Sequence, residues 1–403
     1  MKNSKMRISY FAGSMKPGHD GVTRVLYKLI EALNQRNIEN IFFSPIIPEE
    51  ETQPTKMFEI PSITFPLYKD YRLPVAVQKT FESSLNEFKP DLLHINSPCP
   101  LGFAAVKYGL RHNIPVVATY HTHFASYAKY YKVKALESVS WNYFRIIYNS
   151  CEMVYVPSKP ILEELRGHGL INLQYIPHGV DNKAFNPSFH SMEWRNKYNV
   201  ADKKVLLYAG RLVWEKDLKT LADAYKILHE TRNDIKFVLA GDGPIKNELK
   251  TLMPEALFLG YLSGSELSAA FASSDIFVFP STTETFGNVT LEAMASGIVP
   301  VCAREGGAYG VIEENKTGLI ANPRDAQNLS EKIEMLLNNP KLREKMAENC
   351  LYYAREQSWE KIFDRLFGSY EEIIQTYKIN NQYKPRAYSR SYNQLFFKRN
   401  IHA

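Results

Sequence analysis

The chain is 403 residues long, is 45% hydrophobic and carries a formal net charge of +6. This length predicts two or three domains with apolar cores, and the absence of any apolar run near the roughly 20 residues of a membrane span excludes an anchor of that kind. The charge is uneven, with a net of +5 in residues 1–180, −4 in residues 181–380 and +5 in residues 381–403.

Strands and helices alternate in the first half of the chain. Short apolar runs predict strands at Ile8–Phe11, Ile41–Ser44, Leu92–Ile95, Val116–Thr119 and Met153–Val156. Helical periodicity predicts helices at Val22–Asn34, Val75–Phe88, Gly102–His112 and Val139–Cys151. The basic N-terminus leads into the first of these strands, a pattern unlike that of a signal peptide.

The second half repeats the alternation after a junction at Pro177–Asp181. Strands are predicted at Val205–Ala209, Lys236–Ala240, Ala256–Leu259, Ile276–Phe279, Val299–Cys302 and Gly318–Ile320. Helices are predicted at Leu218–Glu230, Pro244–Leu252, Ser263–Ser273, Val289–Ala295 and Trp359–Lys378. This rhythm is typical of α/β domains with doubly wound parallel sheets.

Two loops in the first half carry polar groups at strand ends. The turn after the first strand contains Asp20 and Gly21, and a glycine at the helix start could let phosphate oxygens approach the N-terminal amides. After Val116–Thr119 come His121 and His123, which lack a third ligand of suitable spacing for a metal. A histidine that only caps the strand end is the alternative to a role in a ligand site.

The segment Gly210–Lys216 follows the strand Val205–Ala209 and contains two cations, Arg211 and Lys216. A guanidinium and an ammonium at the carboxyl end of a strand can neutralise the charge that develops on a departing diphosphate. Further along, Gly241–Pro244 and the segment Gly260, Tyr261 and Leu262 also follow predicted strands. Simple turns explain the glycines of the first of these loops nearly as well as a nucleotide pocket does.

The most specific motif lies in Asp275–Gly297, where a strand, a polar loop and a helix follow one another. Glu284 lies in the loop and Glu292 in the helix, eight positions apart. Two glutamates at this spacing are common in charged helices, so a loop carboxylate and a capping carboxylate are the plain alternative. At the carboxyl end of a parallel strand, however, carboxylates can accept hydrogen bonds from sugar hydroxyls while helix N-terminal amides bind phosphate. The combination predicts a nucleotide-sugar site.

Residues 6–378 resemble the family 4 retaining glycosyltransferases of the GT-B fold, in which two Rossmann-like domains face a central cleft. The resemblance implies that Glu284 contacts the donor sugar and Glu292 the nucleotide ribose, while Arg211 and Lys216 hold the diphosphate. It places His121 beside the donor sugar as a further catalytic residue. Other donor contacts implied by the resemblance are Gly21, Gly260, Tyr261, Leu262, Phe286, Gly287 and Asn288.

The chain departs from the family pattern at three positions. Asp20 precedes Gly21 where relatives usually carry a Gly-Gly pair, His178 replaces the usual Asn of the linker turn, and Asp217 follows Lys216 where Gly is usual. The first departure leaves the acceptor contacts open. Residues predicted for the acceptor side are Asp20, His123, Tyr127 and Tyr131.

The expected organisation is an acceptor-side domain at 1–181, a nucleotide-sugar-binding domain at 182–358, a helix at 359–378 that returns to the first domain, and a basic tail at 381–403. The subgroup resembles GDP-mannose-dependent mannosyltransferases and sulfoquinovosyl or glucosyl diacylglycerol synthases. It implies a nucleotide-sugar donor and a lipid or glycan acceptor, with no metal, cofactor or nucleic-acid partner.

Four cysteines without pairing or metal-ligand spacing (Cys99, Cys151, Cys302 and Cys350) indicate a reducing cytoplasm. The basic N-terminal half and tail could meet an anionic surface at the inner face of a membrane, or form a solvated surface with a disordered end. The alternatives to a transferase are a nucleotide-sugar 2-epimerase of similar fold and a non-catalytic carbohydrate-binding protein.

Overall fold

The structure is a computed structural model that describes residues 6–17, 21–64, 72–75, 77–121 and 134–383. Within these residues, two parallel sheets follow one another along the chain, one in each half. The α/β fold class predicted from the sequence is confirmed.

The first sheet has strand order β3-β2-β1-β6-β7-β8-β9, and neighbouring strands pair in parallel. Its half of the chain contains β1 (Arg7–Phe11), β2 (Glu39–Ser44), β3 (Lys56–Glu59), β4 (Ser62–Thr64), β5 (Arg72–Pro74), β6 (Leu92–Ile95), β7 (Val116–Thr119), β8 (Met153–Val156) and β9 (Leu173–Tyr175). Strands β4 and β5 form a separate antiparallel pair. The helices described in this half are α1 (Gly21–Gln35), α2 (Val77–Phe88), α3 (Pro100–His112), α4 (Lys134–Tyr148) and α5 (Lys159–Gly167).

The second sheet has strand order β12-β11-β10-β13-β14-β15, again with parallel neighbours. Its strands are β10 (Lys204–Ala209), β11 (Ile235–Ala240), β12 (Leu257–Gly260), β13 (Ile276–Phe279), β14 (Val299–Ala303) and β15 (Leu319–Ala321). The helices are α6 (Met192–Lys197), α7 (Leu218–Thr231), α8 (Lys246–Leu252), α9 (Gly264–Ala272), α10 (Asn288–Ala295), α11 (Ala326–Asn338), α12 (Pro340–Glu356) and α13 (Trp359–Tyr383).

Both faces of each sheet are covered, which explains why the strands read as continuous apolar runs rather than as alternating patterns. In β1, Ile8 and Tyr10 enter one buried cluster and Phe11 enters another on the opposite face. Each fully buried aliphatic or aromatic side chain contributes about 1.5–3 kcal/mol relative to its exposed state. The second sheet packs in a separate cluster of buried hydrophobic residues, and Val180 is the first member of that cluster along the chain.

The final helix, α13, packs against the first sheet although it follows the second. Its residues Ile362, Phe363 and Leu366 lie in the same buried cluster as Ile8 and Leu26. The hydroxyl of Tyr370 is hydrogen-bonded to Nδ1 of His94, and the hydroxyls of Tyr155 and Ser369 are 3.0 Å apart. The helix continues to Tyr383, past the predicted end at Lys378, and residues 384–403 lie outside the described part.

Strand order reverses between β1 and β6 in the first sheet and between β10 and β13 in the second. Loops diverge at such points, and the crevice at the carboxyl ends of the strands is where open α/β sheets bind ligands. The two crevices meet, because the Thr285 hydroxyl after β13 donates to the His121 carbonyl after β7 at 2.7 Å, and the Ser158 hydroxyl donates to the Thr285 carbonyl at 2.7 Å.

The predicted strands and helices are present in the described chain, with ends that shift by a few residues. The largest shifts are five residues, at the start of α4, which begins at Lys134 instead of Val139, and at the end of α13. Short elements such as β3, β4, β5 and β9 were not predicted, because none of them contains the run of consecutive apolar residues that marked the other strands. All four cysteines are buried free thiols, and none of the described helices is long and apolar enough to cross a membrane.

Candidate active site

An ion pair lies where strand order reverses in the second sheet. Lys216 follows β10 in a short 3-10 turn, Glu284 follows β13, and Nζ of the lysine is 2.6 Å from Oε1 of the glutamate. Their side chains are 14% and 24% exposed, so water reaches the pair from one side. The arrangement provides a cation and a carboxylate, side by side, at the mouth of the crevice.

Asp217 joins the Lys216 loop to the Glu284 loop. Its φ of +53° is in the left-handed region, which favours glycine. The carboxylate oxygen Oδ2 accepts hydrogen bonds from the Thr282 hydroxyl and from the Thr282 amide, the latter at 3.1 Å. Burial raises the pKa of Asp217, and the bonds from Thr282 oppose that shift. Asp217 therefore links the two loops through hydrogen bonds that a glycine, which has no side chain, cannot make.

A glycine pair after β14 supports the Glu284 loop from behind. The Gly307 amide donates to the Glu284 carbonyl at 2.6 Å. A Cβ on Gly307 would lie 1.9 Å from the Thr285 carbonyl oxygen, and one on Gly306 would lie 2.7 Å from the Thr282 carbonyl oxygen. Real Cβ atoms do not approach that closely, so the loop can hold its position only against glycine.

Helix α10 begins at Asn288, immediately after this loop, so its free N-terminal amides open into the cleft. Gly287 precedes it with a φ of +78°. The Asn288 side chain accepts a 2.8 Å hydrogen bond from Nδ1 of the linker residue His178, whose ring lies 4.8 Å from the buried ring of Phe286. His178 thus anchors the start of α10.

Glu292 lies one turn into α10 and is 9% exposed. Its Oε1 is 3.5 Å from a guanidinium nitrogen of Arg24, which belongs to α1 of the other domain. Its Oε2 is buried and has no hydrogen-bond partner within the described chain. Burial raises the pKa of Glu292 and Arg24 lowers it. A buried acceptor oxygen without a partner is costly unless a ligand donates to it.

His121 is buried at the end of β7. Its Nε2 donates to the Asn96 side-chain oxygen at 3.0 Å, which leaves Nδ1 as an acceptor with no hydrogen-bond partner in the described residues. The ring lines a cavity of about 40 Å³, large enough for ordered water. Burial, with help from His178 and His94, lowers the pKa of His121 well below its usual value. The imidazole is therefore neutral at pH 7.

Arg211 is exposed at the end of β10, and its carbonyl accepts a 3.0 Å hydrogen bond from the Tyr208 hydroxyl. The pKa of Tyr208 is raised well above its usual value by burial and by Glu284 and Glu215, and Arg211 opposes the shift. The charges of Arg211 and Glu284 thus both act on the Tyr208 hydroxyl. Arg211 belongs to the same corner of the sheet as the Lys216–Glu284 pair.

The residues predicted to meet the nucleobase end β12, at the edge of the second sheet. Gly260 has a φ of +74°, and its carbonyl accepts a 2.7 Å hydrogen bond from the Gly241 amide. Tyr261 is 71% exposed and Leu262 is partly buried. One strand, β11, lies between β12 and β10, the strand that Lys216 follows.

In the first domain, Gly21 is the first residue of α1, and a Cβ placed on it would lie 3.4 Å from Nδ2 of Asn288. The starts of α1 and α10 therefore face each other across the cleft. The acceptor-side residues Asp20, His123, Tyr127 and Tyr131 lie outside the described residues. Among the residues described, no group of three or more His, Cys, Asp or Glu side chains is arranged to hold a metal ion.

Two family models match the chain, one in each half. Residues 19–183 match the model described as Glycosyltransferase Family 4, and residues 191–351 match the model described as Glycosyl transferases group 1. A GDP-mannose-dependent alpha-mannosyltransferase of Corynebacterium glutamicum is 32% identical over 92% of this chain and 89% of its own length. The chain belongs to the family 4 glycosyltransferases.

Other relatives agree with the subgroup predicted from the sequence. The sulfoquinovosyl transferase SQD2 of Arabidopsis thaliana is 35% identical over 74% of this chain and 60% of its own. An alpha-monoglucosyldiacylglycerol synthase of Streptococcus pneumoniae is 26% identical over 98% and 91%. Among solved structures, sucrose-phosphate synthase from Thermosynechococcus elongatus superposes with a TM-score of 0.77 at 21% identity, over 92% of this chain and 100% of that one. That likeness confirms the GT-B fold of the glycosyltransferase.

Several residues of the site were not predicted from the sequence. The pair Gly306-Gly307 after an apolar run was a detectable signal, since such pairs mark close backbone approach. Asp217 was noticed only as a departure from the family pattern. Arg24 and Asn96 carry no local signal, because their roles depend on partners 268 and 25 positions away in the chain.

Asp217→Gly in the glycosyltransferase is expected to lower the free energy of unfolding by about 1 kcal/mol, because the lost hydrogen bonds to a charged group outweigh the relief of the left-handed φ. It should also lower kcat more than it raises KM, because the Lys216 and Glu284 loops lose a link. Asp217→Asn should keep most of both properties, since both bonds from Thr282 end on one oxygen. Urea unfolding and initial rates test this, and equal behaviour of the two variants would contradict it.

Proposed function

We propose that the glycosyltransferase moves a sugar from a nucleotide-diphosphate sugar to an acceptor hydroxyl with retention of anomeric configuration. The observation that carries the proposal is the Lys216–Glu284 pair, 2.6 Å apart at the reversal point of the second sheet. Lys216 supplies positive charge where a diphosphate departs, and Glu284 supplies an acceptor for the hydroxyls of the sugar attached to it.

The proposed reaction breaks the bond between the anomeric carbon and the diphosphate oxygen. Lys216, Arg211 and the N-terminal amides of α10 stabilise the negative charge that remains on the diphosphate. The acceptor oxygen forms its bond to the anomeric carbon on the face that the diphosphate leaves, which retains the configuration. The departing phosphate takes the proton of the acceptor hydroxyl, so no side chain is needed as a general base.

Two buried acceptor atoms support the proposed donor position. Oε2 of Glu292 suits a ribose hydroxyl, and Nδ1 of the neutral His121 suits a hydroxyl of the transferred sugar. Both atoms are buried acceptors without a protein partner in the described residues, so a hydrogen bond from the donor would satisfy them. Exposed Tyr261 and the backbone after β12 are the proposed contacts of the base.

The proposed acceptor is a lipid or glycan hydroxyl that enters from the first domain. Exposed apolar side chains at Ile63, Val139 and Ile146, in a half of the chain with a net charge of +5, favour contact with an anionic lipid surface at the inner face of the membrane. Buried free thiols suit a cytoplasmic protein. The reaction is proposed to need no metal ion, because Lys216 and Arg211 provide the positive charge.

Thermal unfolding with UDP-, GDP- and ADP-sugars in the presence of EDTA tests the donor assignment. A donor at one hundred times its Kd should stabilise the protein by about 2.7 kcal/mol, and Glu292→Gln should weaken binding by about tenfold or more, as expected for a lost bond to a charged group. Transfer to diacylglycerol vesicles or to soluble glycans, with the anomeric configuration of the product read by NMR, then tests acceptor and stereochemistry. A folded protein that binds none of these donors would refute the proposal.

A further inference from the structure

We propose that Arg24 is a donor-positioning residue that holds Glu292 from the opposite domain and leaves one carboxylate oxygen for the ribose. The inference rests on the proposed function, since it concerns the same nucleotide site. It assigns a role to a residue of the first domain in binding a substrate that the second domain otherwise holds.

Arg24 is firmly connected to the first domain. It lies in the first turn of α1, whose residues Val25, Leu26 and Leu29 are buried on the other side of the helix. That buried side packs with the first sheet and with α13. The Arg24 side chain is 50% exposed and extends towards the second domain. Its position therefore follows the position of the whole first domain.

The ion pair engages one carboxylate oxygen of Glu292 and leaves the other, which is buried, without a hydrogen-bond partner in the described chain. The guanidinium lies 3.5 Å from Oε1 of Glu292, and the free, buried acceptor is the other oxygen, Oε2. The starts of α1 and α10 face each other at Gly21 and Asn288, so Arg24 and Glu292 each lie about one helical turn behind the point where a diphosphate would meet both sets of amides. The ribose next to that diphosphate would then reach Oε2.

Domain closure and donor affinity become linked through this contact. A buried carboxylate is costly when its charge is not balanced, and the balancing charge on Glu292 comes from the other domain. When the domains separate, the guanidinium leaves and the carboxylate is a less well oriented acceptor. The donor therefore binds more tightly to the closed cleft, and by linkage its binding favours closure.

The test compares the full-length wild-type protein with Arg24→Gln and Arg24→Lys by isothermal titration with UDP and GDP. Lys28→Gln is the matched control, since Lys28 lies one turn further along α1 and pairs with Asp181 of the linker at 3.6 Å, away from Glu292. Arg24→Gln should weaken binding of the preferred nucleotide about tenfold or more. Arg24→Lys should restore part of the affinity, and Lys28→Gln should change it less than about twofold.

A second probe separates positioning from a general structural effect. The 2′,3′-dideoxy form of the same nucleotide lacks the ribose hydroxyls that would donate hydrogen bonds to Glu292. The Kd of this analogue should therefore be nearly equal for wild type and Arg24→Gln. An equal loss with both nucleotides would overturn the proposal, as would a Kd for Arg24→Gln that matches the control. Tighter binding to Arg24→Gln would also overturn it, because the arginine would then compete with the ribose.

Failure of the underlying function gives a different pattern. If the wild-type protein binds neither UDP nor GDP, or if Glu292→Gln binds as well as wild type, the ribose assignment itself is wrong and the role of Arg24 falls with it. If Glu292→Gln loses affinity and Arg24→Gln does not, the donor site stands and only the role of Arg24 is rejected.

Discussion

Replacing Lys216 with Ala is expected to lower kcat/KM for sugar transfer by about a hundredfold to a thousandfold, the usual loss when one group that stabilises transition-state charge is removed. The lysine ammonium is the cation 2.6 Å from Glu284 at the carboxyl end of β10, where the leaving diphosphate is proposed to lie. The larger share of the loss should appear in kcat, because charge on the diphosphate grows as the bond to the sugar breaks. Initial rates with the donor identified by binding measure both parameters.

Lys219→Ala is the control for this prediction. Lys219 lies three positions further along, in α7, where its side chain is 60% exposed and pairs with Asp223. Removal of the Lys219 side chain should therefore leave kcat/KM within about twofold of wild type. Glu284→Gln should be impaired to a degree similar to Lys216→Ala, with melting temperatures near that of wild type. Near-native transfer by either site variant would show that the pair at the sheet reversal is not the catalytic centre.

Replacing Gly307 with Ala is expected to cost about a hundredfold in kcat/KM, the loss that a displacement near 1 Å can cause in a catalytic site. The added methyl group would lie 1.9 Å from the Thr285 carbonyl oxygen and 2.8 Å from the Phe286 amide nitrogen, so the loop that carries Glu284 must move. The hydrogen bond from the Gly307 amide to the Glu284 carbonyl would be strained as well. Overpacking of this kind lowers the free energy of unfolding by about 1–3 kcal/mol, which urea unfolding would measure.

Gly368→Ala is the matched control for the glycine. Gly368 lies inside α13, and a Cβ there would meet no atom within 4 Å. Alanine should therefore raise the free energy of unfolding by about 0.5–1 kcal/mol and leave activity unchanged. If Gly307→Ala were as active as this control, the glycine pair would have no part in holding the Glu284 loop.

The sequence predicted the parts of the site that lie within single segments. The strand, loop and helix around Glu284 and Glu292 were readable because an apolar run, polar loop residues and a closing glycine each act over a few residues. The same local logic placed Lys216 directly after a strand. It also placed His121 directly after a strand, although the hydrogen bond of His121 to Asn96 and its neutral state depend on burial that no local pattern reports.

The contacts between segments could not be predicted in this way. The sequence marked Asp217 only as a departure from the family pattern, yet its carboxylate accepts hydrogen bonds from Thr282, which is 65 positions away. The Gly307 contact with the Glu284 loop requires β13 and β14 to be neighbours. Arg24 meets Glu292 only because two domains close on each other.

The amino-acid sequence by itself determined the alternation of strands and helices, the two α/β halves and the family of the protein, because periodicity and short motifs act locally along the chain. The tertiary structure alone decided which loops share the cleft. Strand order in the second sheet brings Lys216 to Glu284, and closure of the domains brings Arg24 to Glu292. The physical reason is that these charges interact through space over a few ångströms, while the chain between them is 68 to 268 residues long.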